Sequence, residues 1–278
     1  MRIFTPVLLA LLFTACVPVG PTQLTSKPLS RQPATPAIRK AAPIAPAAAS
    51  LPSTLIQPPR VTTRSFAGIT FEGVAFDSRS HRLMVADQAK GPASQFADSA
   101  AAGQAFGGLA AVNAGFFTPE GQPLGRVVSA GKPLGTWNNA SSLGSGLWFE
   151  TALGSSAITR RGKIGGAVRE LIQAGPLLIE NSHRIAGLET TKVSARTVIL
   201  WDGGTRWWIG CSSPCSLEAL SQALASVQPA GWPVRHALNL DGGRSSDLWV
   251  SGNVAGGPIL IRPPWNRPVR NFLVLIPR

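Results

Sequence analysis

The chain has 278 residues, room for one domain of about 200 residues plus appendages. Its net charge is +13, from 26 Lys and Arg against 13 Asp and Glu. Seven of the basic residues precede Glu72, the first acid, which leaves 19 basic and 13 acidic residues beyond it, a net of +6; these are scattered and accompany no nucleic-acid motif, so nucleic acid is excluded as the partner.

Arg2 leads into an apolar run, residues 3–15, too short to span a bilayer and suited to a signal-peptide core. It ends in Phe13-Thr-Ala-Cys16, which resembles a bacterial lipoprotein processing box. Residues 1–15 are therefore expected to be a signal peptide and Cys16 the attachment point for membrane lipid. The expected destination, after export across the inner membrane, is a lipid-anchored position in the periplasmic cell envelope. Residues 16–66 are rich in Pro, Ala, Ser and Thr and show no helical or strand period. Such a stretch buries too little apolar surface to offset its ordering entropy and reads as a disordered linker. The folded domain is expected over 67–278.

Within it, residues 68–77 and 81–86 read as strands paired around the Ser78-Arg-Ser80 turn. Residues 94–106 have helical spacing, and 109–113 is a strand. Short strands follow at 146–149 and 157–159, and a brief helix at 167–173 leads into a strand at 176–179. Residues 197–201 and 206–209 flank Asp202-Gly-Gly204, a hairpin signal. Cys211 and Cys215, in an exported protein, read as one disulfide closing a short loop. Ser216 caps a helix over 216–224, with Leu217, Leu220 and Leu224 on one face. The last strand is 271–276. Many strands with a few helices in irregular order indicate a single α+β domain, a twisted mixed or antiparallel sheet flanked by a few helices.

The chemistry concentrates in Ala237-Leu-Asn-Leu-Asp241 and the glycine turn after it. On a strand, Leu238 and Leu240 share one face, toward a core, and Asn239 and Asp241 share the other. Gly242 and Gly243 let the backbone turn tightly and approach a ligand. Arg244, Ser245 and Ser246 add a cation and two hydroxyls, a set that suits a polar, anionic ligand. The bland alternative is an ordinary turn capped by Asp. Leu109-Ala-Ala-Val-Asn113 likewise ends on an amide, followed by Gly115 and two aromatics. His81, His183 and His236 belong to no nucleophile elbow or triad pattern. There is no metal-binding motif, so neither metal nor cofactor is expected. Trp137, in a Gly- and Asn-rich loop, is a candidate sugar platform, although a loop anchor is the commoner role.

In order and spacing, Asn113-Ala-Gly-Phe-Phe117, Gly175-Pro-Leu177, Arg196-Thr197 and Leu240-Asp-Gly-Gly-Arg-Ser-Ser246 resemble the phosphodiester glycosidase family, over about residues 68–277. Ala114 stands where the family has a first glycine, and Arg244 fills a variable slot. The resemblance implies an envelope hydrolase that cleaves the sugar–phosphate bond of a glycosyl-1-phosphodiester, such as an N-acetylglucosamine-1-phosphodiester. Its partner would be a glycan or sugar-phosphate substrate. The resemblance also places Asp241 at the anomeric carbon and Arg196, with Arg244, on the departing phosphate. Asn113, Gly115, Asn239, Gly242, Gly243, Ser245 and Ser246 would bind substrate around them. A phosphate oxygen departs at low pKa, so an arginine fork can replace the acid that most glycosidases need. Glu72 and Asp247 are the candidates for a second carboxylate. The alternatives are a non-catalytic glycan-binding lipoprotein with the same cleft and a hydrolase drifted toward peptidoglycan.

Overall fold

A computed structural model describes residues 55–162 and 164–278. The expected signal peptide, Cys16 and the linker up to residue 54 lie outside the described residues. A seven-stranded sheet runs edge to edge as Arg60–Phe66, Ile69–Asp77, Arg206–Cys215, Ser194–Trp201, His236–Asn239, Leu177–Glu180 and His183–Arg184. A five-stranded sheet is ordered Ile259–Ile261, Leu248–Val250, Ala110–Asn113, Asn271–Pro277 and His81–Asp87. Another five-stranded sheet is ordered Lys132–Leu134, Val127–Ser129, Val168–Ala174, Gly146–Thr151 and Ser156–Arg160. Pairing within all three is antiparallel. Helices Ser99–Ala105 and Leu217–Ser226 complete an α+β fold.

The three sheets close on one core. Val74, Ile199, Trp207 and Leu238 come from the large sheet, Val112, Leu248 and Leu273 from the second, and Trp148, Ile158 and Ile172 from the third. The other face of the large sheet is buried too, with Val198, Leu200 and Trp208 packed against Leu220 and Leu224 of the Leu217–Ser226 helix. Burial on both faces explains why residues 198–201 read as an unbroken apolar run rather than an alternating one. Ser216 caps that helix, its side chain accepting from Ala219 N. Helix Ser99–Ala105 covers the second sheet through Ala102, against Ala111, Phe272 and Val274.

Four local expectations are corrected. Strands Ile69–Asp77 and His81–Asp87 do not pair with each other. The first joins Arg60–Phe66 and Arg206–Cys215; the second joins Asn271–Pro277. Residues 78–80 instead carry the chain between sheets, with Ser78 N donating to Thr205 O at 2.8 Å. The expected helix at 167–173 is strand Val168–Ala174, flanked by partners on both sides. Its sequence is neutral between the two states, and tertiary pairing decides. Arg60–Phe66, assigned to the linker from composition, is an edge strand whose Thr62 hydroxyl accepts from Trp208 Nε1 at 2.8 Å. The Cys211–Cys215 bridge is not made; both thiols are free and buried. Arg206–Cys215 remains strand to its end, but its register against Ser194–Trp201 shifts between Arg196 and Ser194, and this bulge turns the two cysteine side chains away from each other, an arrangement a disulfide does not allow. The two side chains also enter different cores, one on each face of the large sheet.

Candidate active site

Strand His236–Asn239 lies between Ser194–Trp201 and Leu177–Glu180. Leu240 N still donates to Thr197 O at 2.8 Å, but Asp241 N donates to Ala114 O at 2.9 Å, so the chain leaves the large sheet at Asp241 and crosses to the second. Leu238 and Leu240 are fully buried in the common core, which fixes the opposite face for Asn239 and Asp241. The two glycines then have no room for a side chain. A Cβ at Gly242 would sit 2.8 Å from Ala195 O; Gly243 has φ +63° and its Cβ would sit 2.8 Å from Ser194 Oγ. The backbone can thus press against the Ser194–Trp201 strand, with Gly242 close to the Arg196 backbone.

Asp241 and Arg196 both line a cleft of about 1140 Å³. Asp241 is 5% exposed. Its Oδ1 accepts from Gly242 N at 2.9 Å, while its buried Oδ2 makes no hydrogen bond and faces the Arg267 guanidinium at 3.5 Å. Burial pushes the carboxyl above its ordinary pKa, against the smaller opposing pull of the Ser245 hydroxyl, Arg267 and Gly242 N–H. Arg196 donates from Nε to Cys215 O at 3.0 Å and from Nη2 to Lys192 O at 2.6 Å. Burial lowers its pKa, yet a guanidinium starts so high that it stays charged. Asn239 also lines the cleft; its Nδ2 donates to Gly175 O at 2.8 Å and its Oδ1 is buried without a partner. Gly242, Gly243, Arg244 and Ser246 line the same cleft, Arg244 being exposed and tied through Nε to Trp265 O at 3.0 Å.

Arg267, which carries no sequence signal of a site, joins it through the fold. It donates from Nε to Ser245 Oγ at 3.0 Å and lies over the Phe117 ring at 4.8 Å. Its segment, Arg262-Pro-Pro-Trp-Asn-Arg267, folds back on the Asp241 turn, with Arg267 N donating to Arg244 O at 2.9 Å and Asn266 Nδ2 to Ser246 O at 3.0 Å. No local motif announces that contact. Trp265, 65% exposed, stands at this cleft. Trp137 does not; it lines a separate cavity of about 420 Å³.

Several expected ligand contacts are instead internal. Asn113 is fully buried and does not line the cleft. Its Nδ2 donates to Asp241 O at 2.6 Å, and its Oδ1 accepts from Thr197 Oγ1 at 2.7 Å and Asp247 N at 3.0 Å. It therefore pins the Asp241 turn to both neighbouring sheets, and its amide is spent on protein. Gly115 N donates to Asn271 Oδ1 at 2.7 Å, also away from the cleft. Ser245 is fully buried and serves Arg267. Asp247 is held by Ser99, through N at 2.9 Å and Oγ at 2.6 Å, so of the two candidate second acids only Glu72 lines the cleft. Cys211 also lines it, but burial pushes its thiol up to about 12, too high for a thiolate nucleophile. Asn113→Ala is expected to cost about 3–5 kcal/mol in urea unfolding, because three buried hydrogen bonds are lost at once and Asp241 O and Asp247 N are left unpaired. An effect on substrate affinity with unchanged stability would contradict this structural role.

Among the described residues, no three His, Cys, Asp or Glu side chains group as metal ligands. The phosphodiester glycosidase family model matches residues 106–276. Among solved structures, the catalytic domain of zebrafish N-acetylglucosamine-1-phosphodiester alpha-N-acetylglucosaminidase, auto-inhibited by its pro-peptide, superposes with TM-score 0.56 at 17% identity, covering 79% of this chain and 82% of that one. A hypothetical protein from Synechocystis superposes with TM-score 0.54 at 16% identity, covering 78% of this chain and 61% of that one. No curated protein matches. At such identities the structural likeness speaks for the fold, and the family model spans more than half of the sequence: the chain belongs to the phosphodiester glycosidase family.

Proposed function

We propose that this protein hydrolyses a glycosyl-1-phosphodiester, with Asp241 and Arg196 at opposite ends of the bond that breaks. The observation that carries the reading is Asp241 Oδ2, buried at the cleft without a hydrogen bond while Arg196 lies on the neighbouring strand. A buried carboxylate oxygen whose nearest partner is a guanidinium at 3.5 Å keeps room for a ligand or water at closer range. In the reaction, a water oxygen bonds to the anomeric carbon and the bond from that carbon to the phosphate oxygen breaks. The electron pair leaves with the phosphate, and the water proton passes to ionised Asp241. The products are the free sugar and a phosphate monoester. Arg196 has Nη1 without a partner among the described residues, available to the departing oxygen. Asn239 Oδ1 is available to a sugar hydroxyl.

The direct test is sugar release by the purified protein from N-acetylglucosamine 1-(methyl phosphate), with the methyl glycoside lacking phosphate as control. Release from the first and not the second is expected. Binding without release would favour the glycan-binding alternative. A finer test uses Arg267. Asp241 must be ionised to take the proton, so kcat/KM rises with pH through its pKa. Arg267→Gln removes the cation 3.5 Å from Oδ2, which raises that pKa further. The acid limb of the profile is expected to move to higher pH; an unmoved limb would remove Asp241 from the titration.

A further inference from the structure

The cleft has an apolar stretch next to Arg196. The Arg196 guanidinium reaches the carbonyls of Cys215 and Lys192, and around that point Val193, Pro214 and Leu217 line the cleft. These three are held as one wall. Ser194 pairs with Cys215, and Glu218 N donates to Glu189 O at 3.0 Å, which lays the 189–194 arm along the start of helix Leu217–Ser226. Val193 is left 65% exposed, as a residue awaiting cover would be. Val193, Pro214 and Leu217 present only carbon at their side chains, and the polar groups next to them are Glu189, whose Oε2 has no hydrogen bond, and two serines. Ser213 Oγ accepts from Thr70 N at 3.0 Å, and Ser212 Oγ donates to Ser213 O at 2.9 Å. The cleft is also larger than a sugar phosphate requires: at about 1140 Å³ it lies just above the ~300–1,000 Å³ that encloses drug-sized ligands.

We propose that the second substituent of the phosphate is a lipid chain, so that the substrate is a sugar joined through a phosphodiester to an alkyl or isoprenoid tail. The sugar sits at Asp241 and the phosphate at Arg196, with exposed Lys192 beside it. The first methylenes run over Val193, Pro214 and Leu217. The sugar end of this assignment rests on the hydrolytic reading above; the lipid end rests on the wall itself. One phosphodiester charge meets the two cations, and carbon meets carbon beyond them.

The test is calorimetric binding of octyl phosphate and methyl phosphate to the purified full chain, below the concentration at which octyl phosphate forms micelles. At roughly fourfold per buried methylene, three or four methylenes on the wall give octyl phosphate about 100-fold tighter binding, at one site per chain. Val193→Asp is expected to cut the octyl-to-methyl ratio at least tenfold. Affinities within threefold of each other, or a preference that Val193→Asp leaves intact, would overturn the proposal. A parallel assay compares sugar release from the octyl and methyl phosphodiesters of N-acetylglucosamine. Octyl preference in binding without release from either compound would sustain the lipid wall and overturn the hydrolytic reading, so the two failures are separable.

Discussion

Asp241→Asn is expected to lower sugar release at least about 1,000-fold, the upper range for loss of a general base, while the folded protein becomes more resistant to heat at neutral pH. The two effects have one cause. Asp241 is buried, and its Oδ2 lacks a hydrogen bond, so its charged form is disfavoured and its pKa in the folded state lies above the ordinary carboxylate value. A folded-state pKa above the unfolded one means the folded state holds its proton longer. Stability is then highest below the unfolded pKa and falls as pH rises through the folded pKa. The asparagine carries no charge to bury, so the gap in melting temperature between variant and wild type should open from acid to neutral pH. Asparagine keeps the shape and can still accept from Gly242 N, so affinity for the phosphodiester should stay within about fivefold. Wild-type turnover in the variant, or a melting gap independent of pH, would falsify the assignment of Asp241 as the buried, reacting acid.

The parts of this site that obey a local rule are legible in the sequence alone. Period-two alternation places Leu238 and Leu240 inward and Asn239 and Asp241 together, and the cleft contains both polar residues. The Gly242-Gly243 pair reads as a close approach, and the approach is to the backbone of the very strand that carries Arg196. What could not be read is partnership. Asn113 looks like a ligand-binding amide because it ends a strand just as Asn239 does. Only the meeting of three segments at its side chain makes it a brace. Arg267 looks like a surface residue in a proline-rich tail until that tail folds over Ser245. The same limit explains the strand errors. Residues 69–77 and 81–87 are correctly extended, but their pairing is chosen by sheets assembled from distant sequence. The Cys211-to-Cys215 spacing suits a loop, and nothing within those five residues reveals that they continue a ladder against Ser194–Trp201.

Arg196→Lys keeps the charge and is nevertheless expected to lower kcat/KM about 100- to 1,000-fold. In the proposed reaction the guanidinium does two jobs at fixed geometry. Nε and Nη2 hold the carbonyls of Cys215 and Lys192, and the planar fork leaves Nη1 directed from the same rigid plane. A lysine ammonium is a single point; satisfying either carbonyl draws it away from the phosphate, and satisfying the phosphate leaves two carbonyls of a partly buried turn unpaired. Part of the loss would therefore appear as instability, about 1–3 kcal/mol for the unpaired carbonyls. Product inhibition separates the two contributions. If Arg196 holds the departing phosphate, the inhibition constant for methyl phosphate should weaken by a similar factor to kcat/KM, while inhibition by free N-acetylglucosamine, which lies at the Asp241 end, should hardly change. Equal weakening toward both products would instead mean that the substitution has collapsed the 189–194 arm and opened the cleft as a whole. In that case the arginine is a strut, and the phosphate must be gripped by Arg244 or Arg267, which also line the cleft; Arg262 lines it as well but is held by Asp98 and Asn266.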